Sequence, residues 1–333
     1  MKRVNQTAIA TASGVSVSTV SRVLSNAPGI SEPVRSKVTA IARELGYKIV
    51  PPGMDRTPTL SKVILFAGTE ISPSGLSLVY NSILGGIQEV AGPLGIAVSF
   101  ALPGADGLLP KHILEEENVG FIFLGTDPDP DLLRALRQRG VPVVLANGLD
   151  PEMIVDSVSP ANYHGSRIAA RHLAERGHRK VLILSSHTRW TLKRRNEGFQ
   201  AGLHEFSGDG DVEISQFELQ SLSGEAVFES TAEWLKILEG GITAIFCGND
   251  LVGLAALQVL RERGISVPGE IAVIGFDNLP LAEMCDPPLS TVDVDWRSLG
   301  AEAMRIISLR GASPEGAPRQ LHLGAQLVVR QST

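Results

Sequence analysis

The sequence predicts an α/β fold in which a small three-helix head precedes two doubly wound parallel-sheet lobes, and three observations predict it. From Lys62 onward, short apolar runs alternate with amphipathic helical stretches, as in parallel sheets covered by helices on both faces. The alternation runs through one series and then a second. The first fifty residues break the pattern, with helical spacing, no strand runs and opposite charge. They carry seven Lys and Arg against two Glu, a net of +5, which leaves −11 for the rest of a chain whose total is −6. A basic head on an acidic body is the electrostatic footprint of a nucleic-acid binder.

Length and composition set the frame. At 333 residues, with 43% apolar and 20% charged residues, the chain supports several packed cores. No apolar run is long enough to span a bilayer. The start MKRVNQTAIATASG lacks the apolar segment of a secretory signal, so a cytoplasmic protein is expected. Cys247 and Cys285 stand far apart without metal-ligand spacing and read as reduced packing residues. No metal or cofactor is expected.

In the head, Ala8, Ile9 and Ala12 have helical spacing and lead to Gly14, whose backbone freedom suits a tight helix-to-helix turn. A second helix starts at Val17 with Ser16 as its N-cap, and a third runs from the cap Ser31 through Leu45 to Gly46. Val15, Val20 and Val23 are spaced to face Ile9 and Ala10 in a small core. The other side of the second helix then presents Val17, Ser18, Ser21 and Arg22, with Thr19 at its flank. Arg22 can read guanine through O6 and N7, worth about 1–3 kcal/mol in base discrimination. Val17 can pack on a thymine methyl, and the hydroxyls can hold phosphates. One such module binds weakly, so a symmetric dimer on a palindromic site is expected.

The segment IATASGVSVSTVSRVLSNAPGISEPVRSKVTAIARELGY closely resembles the head of the lactose-repressor (LacI) family, whose pattern is V-A-x-x-A-G-V-S-x-x-T-V-S-R-V-L-N followed by R-x-x-V and L-G-Y. The resemblance implies that the second helix enters the major groove and that Val17, Ser18 and Arg22 contact bases. It makes Ser16, Thr19, Ser21, Ser31 and Tyr47 phosphate-facing. Ser13, where the family has alanine, and Ala8, where it commonly has an acid, depart from the pattern. Between head and body, VPPGMDRTP holds three prolines and a glycine over residues 50–58. The family forms a hinge helix there and wedges a leucine into the minor groove. Arg56 occupies that place here, where it either enters a narrow minor groove or serves as a solvated linker charge. Pro51, Pro52, Gly53 and Pro58 oppose a regular helix.

In the body, KVILFA, IAVSFA, VGFIFLG and PVVLAN read as strands of the first lobe, and KVLILS, VEISQFEL, AIFCG and IAVIGFD as strands of the second. The stretches between them read as helices, SGEAVFESTAEWLKILEGG as a single one. Doubly wound sheets take ligands at the carboxyl ends of their strands, so two facing sheets enclose a cleft. The resemblance continues through RHLAERGHRKVLIL, RRNEGFQAGL, AIFCGNDLVGLAALQVLRERGISVPGEIAVIGFDN, PPLSTVDVD and QLVVRQST, landmarks of the family's periplasmic-binding-protein-like effector core. It implies three crossings between lobes. The expected division is a head over 1–49, a linker over 50–61 and a core over 62–333. Within the core, lobe one takes about 62–160 and 293–320, and lobe two about 161–292 and 321–330.

Through the resemblance, Arg195 of R-x-x-G-F matches the arginine that bonds ligand hydroxyls or carboxylates, and Asp277 the acidic acceptor. Asn249 and Asn147 hold two more strand ends, where asparagine either meets a ligand or caps a helix. Trp190 either covers an apolar ligand face or packs. Leu219 stands where some sugar-binding members carry an aromatic. The first loop departs from P-D-x-x-N-P-F-F, although Glu70, Ser77 and Tyr80 remain within reach of a cleft. The D-N-x-x-G motif has become Ala161, Asn162 and Gly165, without its acid.

Enzyme readings fail on chemistry: the chain lacks G-x-x-x-x-G-K-[ST], G-x-S-x-G, H-E-x-x-H and a dinucleotide fingerprint after its first strand. A free-standing ligand-binding protein does not account for the basic head. The expectation is a homodimeric transcriptional regulator, a repressor, on palindromic operator DNA and without a membrane partner. Its small-molecule effector is a sugar or sugar derivative, with purines as the alternative. No heptad segment follows QLVVRQST, which favours a dimer over a tetramer.

Overall fold

The structure is a computed structural model, and it describes residues 6–24, 29–45, 60–67, 78–101, 116–208 and 210–333. Tyr47, Arg56, Glu70 and Ser77, and with them the stretch 50–58, lie outside the described residues.

The head forms as expected from α1 (Gln6–Ser13), α2 (Val17–Leu24) and α3 (Glu32–Glu44). Gly14 takes φ +68° at the turn between the first two, a conformation that costs glycine little. Ile9, Val20, Val38 and Ala42 are fully buried, with Val15, Ile30, Val34 and Ile41 packed around them. Ser16 caps α2, its Oγ accepting from Thr19 N at 3.1 Å. Ser31 stands at the N-cap position of α3, but its side chain makes no cap bond, which corrects the sequence expectation. Pro33, in the first turn, has no N–H for a cap to satisfy. The buried Ser13 hydroxyl donates to Ile9 O at 2.6 Å, which is how the helix tolerates a hydroxyl there.

The first lobe begins with β1 (Lys62–Ala67), α4 (Leu78–Leu94), β2 (Ala97–Ala101), β3 (Val119–Leu124), α5 (Pro130–Gln138), β4 (Val143–Ala146) and β5 (Asp156–Pro160). The chain then crosses into α6 (Asn162–Glu175), β6 (Lys180–Ser185), α7 (Trp190–Phe206), β7 (Glu213–Glu218), α8 (Gly224–Glu229), α9 (Thr231–Leu238), β8 (Ala244–Cys247), α10 (Asp250–Glu262), β9 (Ala272–Asp277), α11 (Pro280–Met284) and β10 (Ser290–Val294). It returns through α12 (Trp296–Ala312) and β11 (Gln320–Leu323), and ends with β12 (Ala325–Val328).

Two six-stranded sheets result, ordered β11-β5-β4-β3-β1-β2 and β12-β10-β9-β8-β6-β7. All pairings are parallel except β10 with β12. The strand interiors are continuous apolar runs because both faces are covered. Phe199 of α7 stacks on Phe246 of β8 at 4.2 Å between ring centroids and fixes that helix on the second sheet.

Three features differ from the sequence expectation. Leu321–Leu323 pair with β5 in the first sheet, so the last crossing falls at Gly324 rather than at residue 321. The stretch 223–241 is two helices broken at Ser230, whose hydroxyl turns back to Ala226 O at 2.6 Å. The strands β5, β10 and β11 and the long helix α12 extend the eight expected strands and their helices.

Candidate nucleic-acid interface and effector cleft

On the head, Val17, Ser18, Ser21 and Arg22 are exposed along one side of α2, Thr19 is half-buried beside them, and Ser31 is exposed at the start of α3. The hydroxyls are not independent. Ser16 Oγ lies 2.7 Å from Ser18 Oγ and 2.8 Å from Thr19 Oγ1 while it caps the helix. This cluster presents rotatable O–H groups at a positive helix end, which suits phosphate oxygens. The Arg22 guanidinium lies against Gly29, where a Cβ would stand 3.4 Å from Nη2.

In the second lobe Arg195 is buried at 3% exposure, and its fork is committed. Nε donates to Asn162 Oδ1 at 2.7 Å and Nη1 to Gly248 O at 2.8 Å, and the guanidinium lies 3.7 Å from the Phe276 ring centroid. Nη1 also stands 3.2 Å from Asp277 Oδ1. That contact is a charge pairing without hydrogen-bond alignment, since Asp277 Oδ1 accepts no hydrogen bond among the described residues. Asp277 itself sits at the end of β9 with φ +113°. Burial pushes its carboxyl up to about 6, against the pull of Arg195. Behind it, burial and then the neighbouring Asp277 push Asp250 up to about 7, although Thr291 Oγ1 donates to it at 2.5 Å and Leu279 N at 2.7 Å.

The first lobe supplies a second set. The Tyr80 hydroxyl rests on Gly125 just past β3, where φ is +57° and a Cβ would fall 1.8 Å from the phenol oxygen. Two residues on, Asp127 faces the other lobe. Asp127 Oδ2 accepts from Trp190 N, the first residue of α7, at 2.7 Å. Burial raises the Asp127 carboxyl, opposed by that hydrogen bond and by Arg189. Asn147, buried at the end of β4 with φ +51°, receives Arg189 Nη2 on its carbonyl oxygen. These two hydrogen bonds join the lobes across the cleft, and nearer the crossings Trp296 Nε1 of α12 donates to Asp277 O at 3.1 Å. Around them Thr126 Oγ1, Asp127 Oδ1, Asn147 Oδ1, Arg189 Nε and Asp277 Oδ1 are buried without hydrogen-bond partners among the described residues. Such a cluster is costly unless a ligand or water completes it.

The structure thus brings Arg195, Asp277, Asn147, Trp190 and Tyr80 to the strand ends that face each other. Trp190 is 40% exposed, with Lys193 Nζ 4.4 Å from its ring centroid. Asn249 does not join them: its Oδ1 caps α10 by accepting from Val252 N at 2.9 Å, and its Nδ2 donates to Leu222 O at 3.1 Å. Leu219 is a core residue at 2% exposure. The sequence reading missed Asp127 and Arg189. Asp127 follows the strand VGFIFLG, so the strand-end rule that selected Asn147 selects it as well. Arg189, in the loop SSHTRW, carries no such signal.

Residues 7–49 match the model described as bacterial regulatory proteins, lacI family, and residues 170–333 match the periplasmic binding protein-like domain. The HTH-type transcriptional regulator DegA of Bacillus subtilis (strain 168) is 31% identical, over 98% of this chain and 96% of its own. The solved transcriptional regulator CelR-cellobiose complex is 27% identical, with a TM-score of 0.73, over 99% of this chain and 100% of that one. The lac repressor dimer bound to operator and an anti-inducer shares the fold, at 23% identity and a TM-score of 0.64, over 99% of both chains.

Proposed function

Because the chain belongs to the lacI family of bacterial regulatory proteins, we propose that it is a repressor, a homodimer on a palindromic operator, controlled by a sugar or sugar derivative bound between its lobes. It is a DNA-binding transcriptional regulator and not an enzyme. The cleft therefore serves recognition rather than turnover. No described helix is long and apolar enough to cross a membrane.

One observation carries the effector reading. The unpartnered buried atoms of the cleft are dominated by acceptors, with Asp127 Oδ1 and Asn147 Oδ1 from one lobe and Asp277 Oδ1 from the other, against the single donor Arg189 Nε; Thr126 Oγ1 serves either way. A ligand that satisfies them is rich in donors and uncharged, which describes sugar hydroxyls better than a phosphate. Cellobiose in the CelR complex is a ligand of that kind. On the head, Val17, Ser18 and Arg22 face bases, and Ser16, Thr19, Ser21 and Ser31 face phosphates. Tyr47 on phosphate, and Arg56 either in the minor groove or as a solvated linker charge, are further assignments that lie outside the described residues.

Isothermal titration of the full chain against cellobiose, ribose, sugar phosphates and nucleobases tests the effector class. Binding of a neutral sugar, weakened in Asp277→Asn, is the expected result. Binding confined to nucleobases or phosphorylated ligands overturns it. Association with a palindromic duplex that weakens steeply with salt tests the head, and sedimentation as a monomer at micromolar concentration overturns the dimer.

A further inference from the structure

Beside the cleft, a cavity of about 200 Å³ opens against the first crossing between the lobes. Leu149, Ser159 and His322 line it from the first lobe, and Tyr163, His164 and Arg194 from the second. Asn162 is the one residue it shares with the Arg195 constellation. It is too small for a drug-sized ligand, for which pockets run from roughly 300 Å³ upward, and large enough for a compact metabolite.

The wall carries basic groups and no acid. Arg194, His164 and His322 bring the three basic side chains. The Arg194 guanidinium lies 4.8 Å from the Tyr163 ring centroid, and its Nη1 also pairs with Glu197, outside the lining. His322 Nδ1 stands 3.1 Å from Ser159 Oγ, whose proton goes to Pro160 O, so the imidazole donates there, and its Nε2 donates to an anion when the ring is protonated. Ala161, also in the wall, is the N-cap of the 14-residue helix α6 and gives its first-turn amides no side-chain acceptor. An acid in place of Ala161 would put a carboxylate into the cavity.

We propose that this hinge cavity is a second ligand site, distinct from the effector cleft, for a compact organic anion carrying a carboxylate or phosphate. Its ligand touches both lobes where the chain passes between them. It therefore favours one lobe angle over another and shifts the same equilibrium that the cleft ligand acts on.

Calorimetric titration of the full chain with phenyl phosphate, benzoate and neutral benzyl alcohol tests the site. Either anion binds while benzyl alcohol does not, and the paired change Arg194→Gln with His322→Gln weakens binding by roughly tenfold or more. Ala161→Asp abolishes anion binding while the chain stays folded by circular dichroism, and Asp277→Asn leaves it intact. Benzyl alcohol binding as tightly as the anions overturns the proposal, as does anion binding that survives Ala161→Asp. Loss of anion binding in Asp277→Asn places the ligand in the cleft and also overturns it. So does silence from both anions up to about 10 mM, weaker than the millimolar end of the affinity scale.

Discussion

The two lobes meet the cleft with different economies. In the second, Arg195 is held from every side before any ligand arrives, by Asn162, the Gly248 carbonyl, the Phe276 ring and the charge of Asp277. In the first, Asp127 and Asn147 are tied down by groups of the opposite lobe, Trp190 N and Arg189. One half of the site is preorganised and survives opening; the other is assembled by closure. A ligand that meets the second lobe first finds its acceptor ready, and its contacts to the first lobe depend on the lobe angle.

The largest effect is expected from attacking the preorganised half. Arg195→Leu leaves Asp277 buried without its counter-charge and should cost the second lobe about 3–5 kcal/mol, read by urea unfolding. A cost near zero would mean that Asp277 is already neutral. Asp277→Asn keeps the shape and removes the anionic acceptor. Ligand binding should weaken by about 1.5–3 kcal/mol, the range for a hydrogen bond to a charged group, measured by titration.

The same residue gives the comparison a pH dependence. Folding raises the carboxyls of Asp277, to about 6, and Asp250, to about 7, above their ordinary 3.8. Their protonation therefore favours the folded chain below that ordinary value, and this contribution is lost as pH rises through about 6 and 7. A ligand that donates to ionised Asp277 works in the opposite sense, so its thermal stabilisation should be larger at neutral pH than at mildly acidic pH. A thermal shift independent of pH would count against hydroxyl donation to Asp277.

Attacking the assembled half should cost less and change shape rather than stability. Asp127→Ala removes one of the hydrogen bonds between the lobes, worth about 0.5–1.5 kcal/mol for an ordinary bond, and should open the ligand-free lobes in small-angle scattering. An unchanged profile would show that the contact does not govern closure. The smallest effect lies outside both halves. Ser16→Ala removes the α2 cap at about 1 kcal/mol, so the head should melt earlier while ligand affinity in the cleft stays the same.

Much of this was legible in the residues, for physical reasons that also mark the limits. Strands such as β1, β3, β8 and β9 are apolar runs because both sheet faces are covered, and Arg195 and Asp277 lie in motifs that the resemblance supplies. The strand β5, DSVSP, shows no apolar run because three of its five buried residues are polar, and Asp156 is satisfied by Arg310 at 2.7 Å and Arg319 N at 2.8 Å rather than by apolar neighbours. Asp127 and Trp190 are 63 residues apart, and no local pattern announces a bond that exists only across a cleft. The equal choice left open for Asn249 fell to capping because its helix starts at the next residue. The same choice at Asn147 left its side-chain oxygen unpaired in the cleft.

Gly324 is the whole of the last crossing, one residue between a strand of the first sheet and a strand of the second. No atom beyond its chain neighbours lies within 4 Å of where its Cβ would stand. So short a tether, beside two other crossings, lets the lobes pivot far more readily than separate. The motion is then that of a lever with its fulcrum at the crossings. Residues beside the fulcrum, His322 among them, travel little, while the rim carrying Asp127 and Trp190 travels far. A small change of angle is thereby delivered as a large displacement at the far edge.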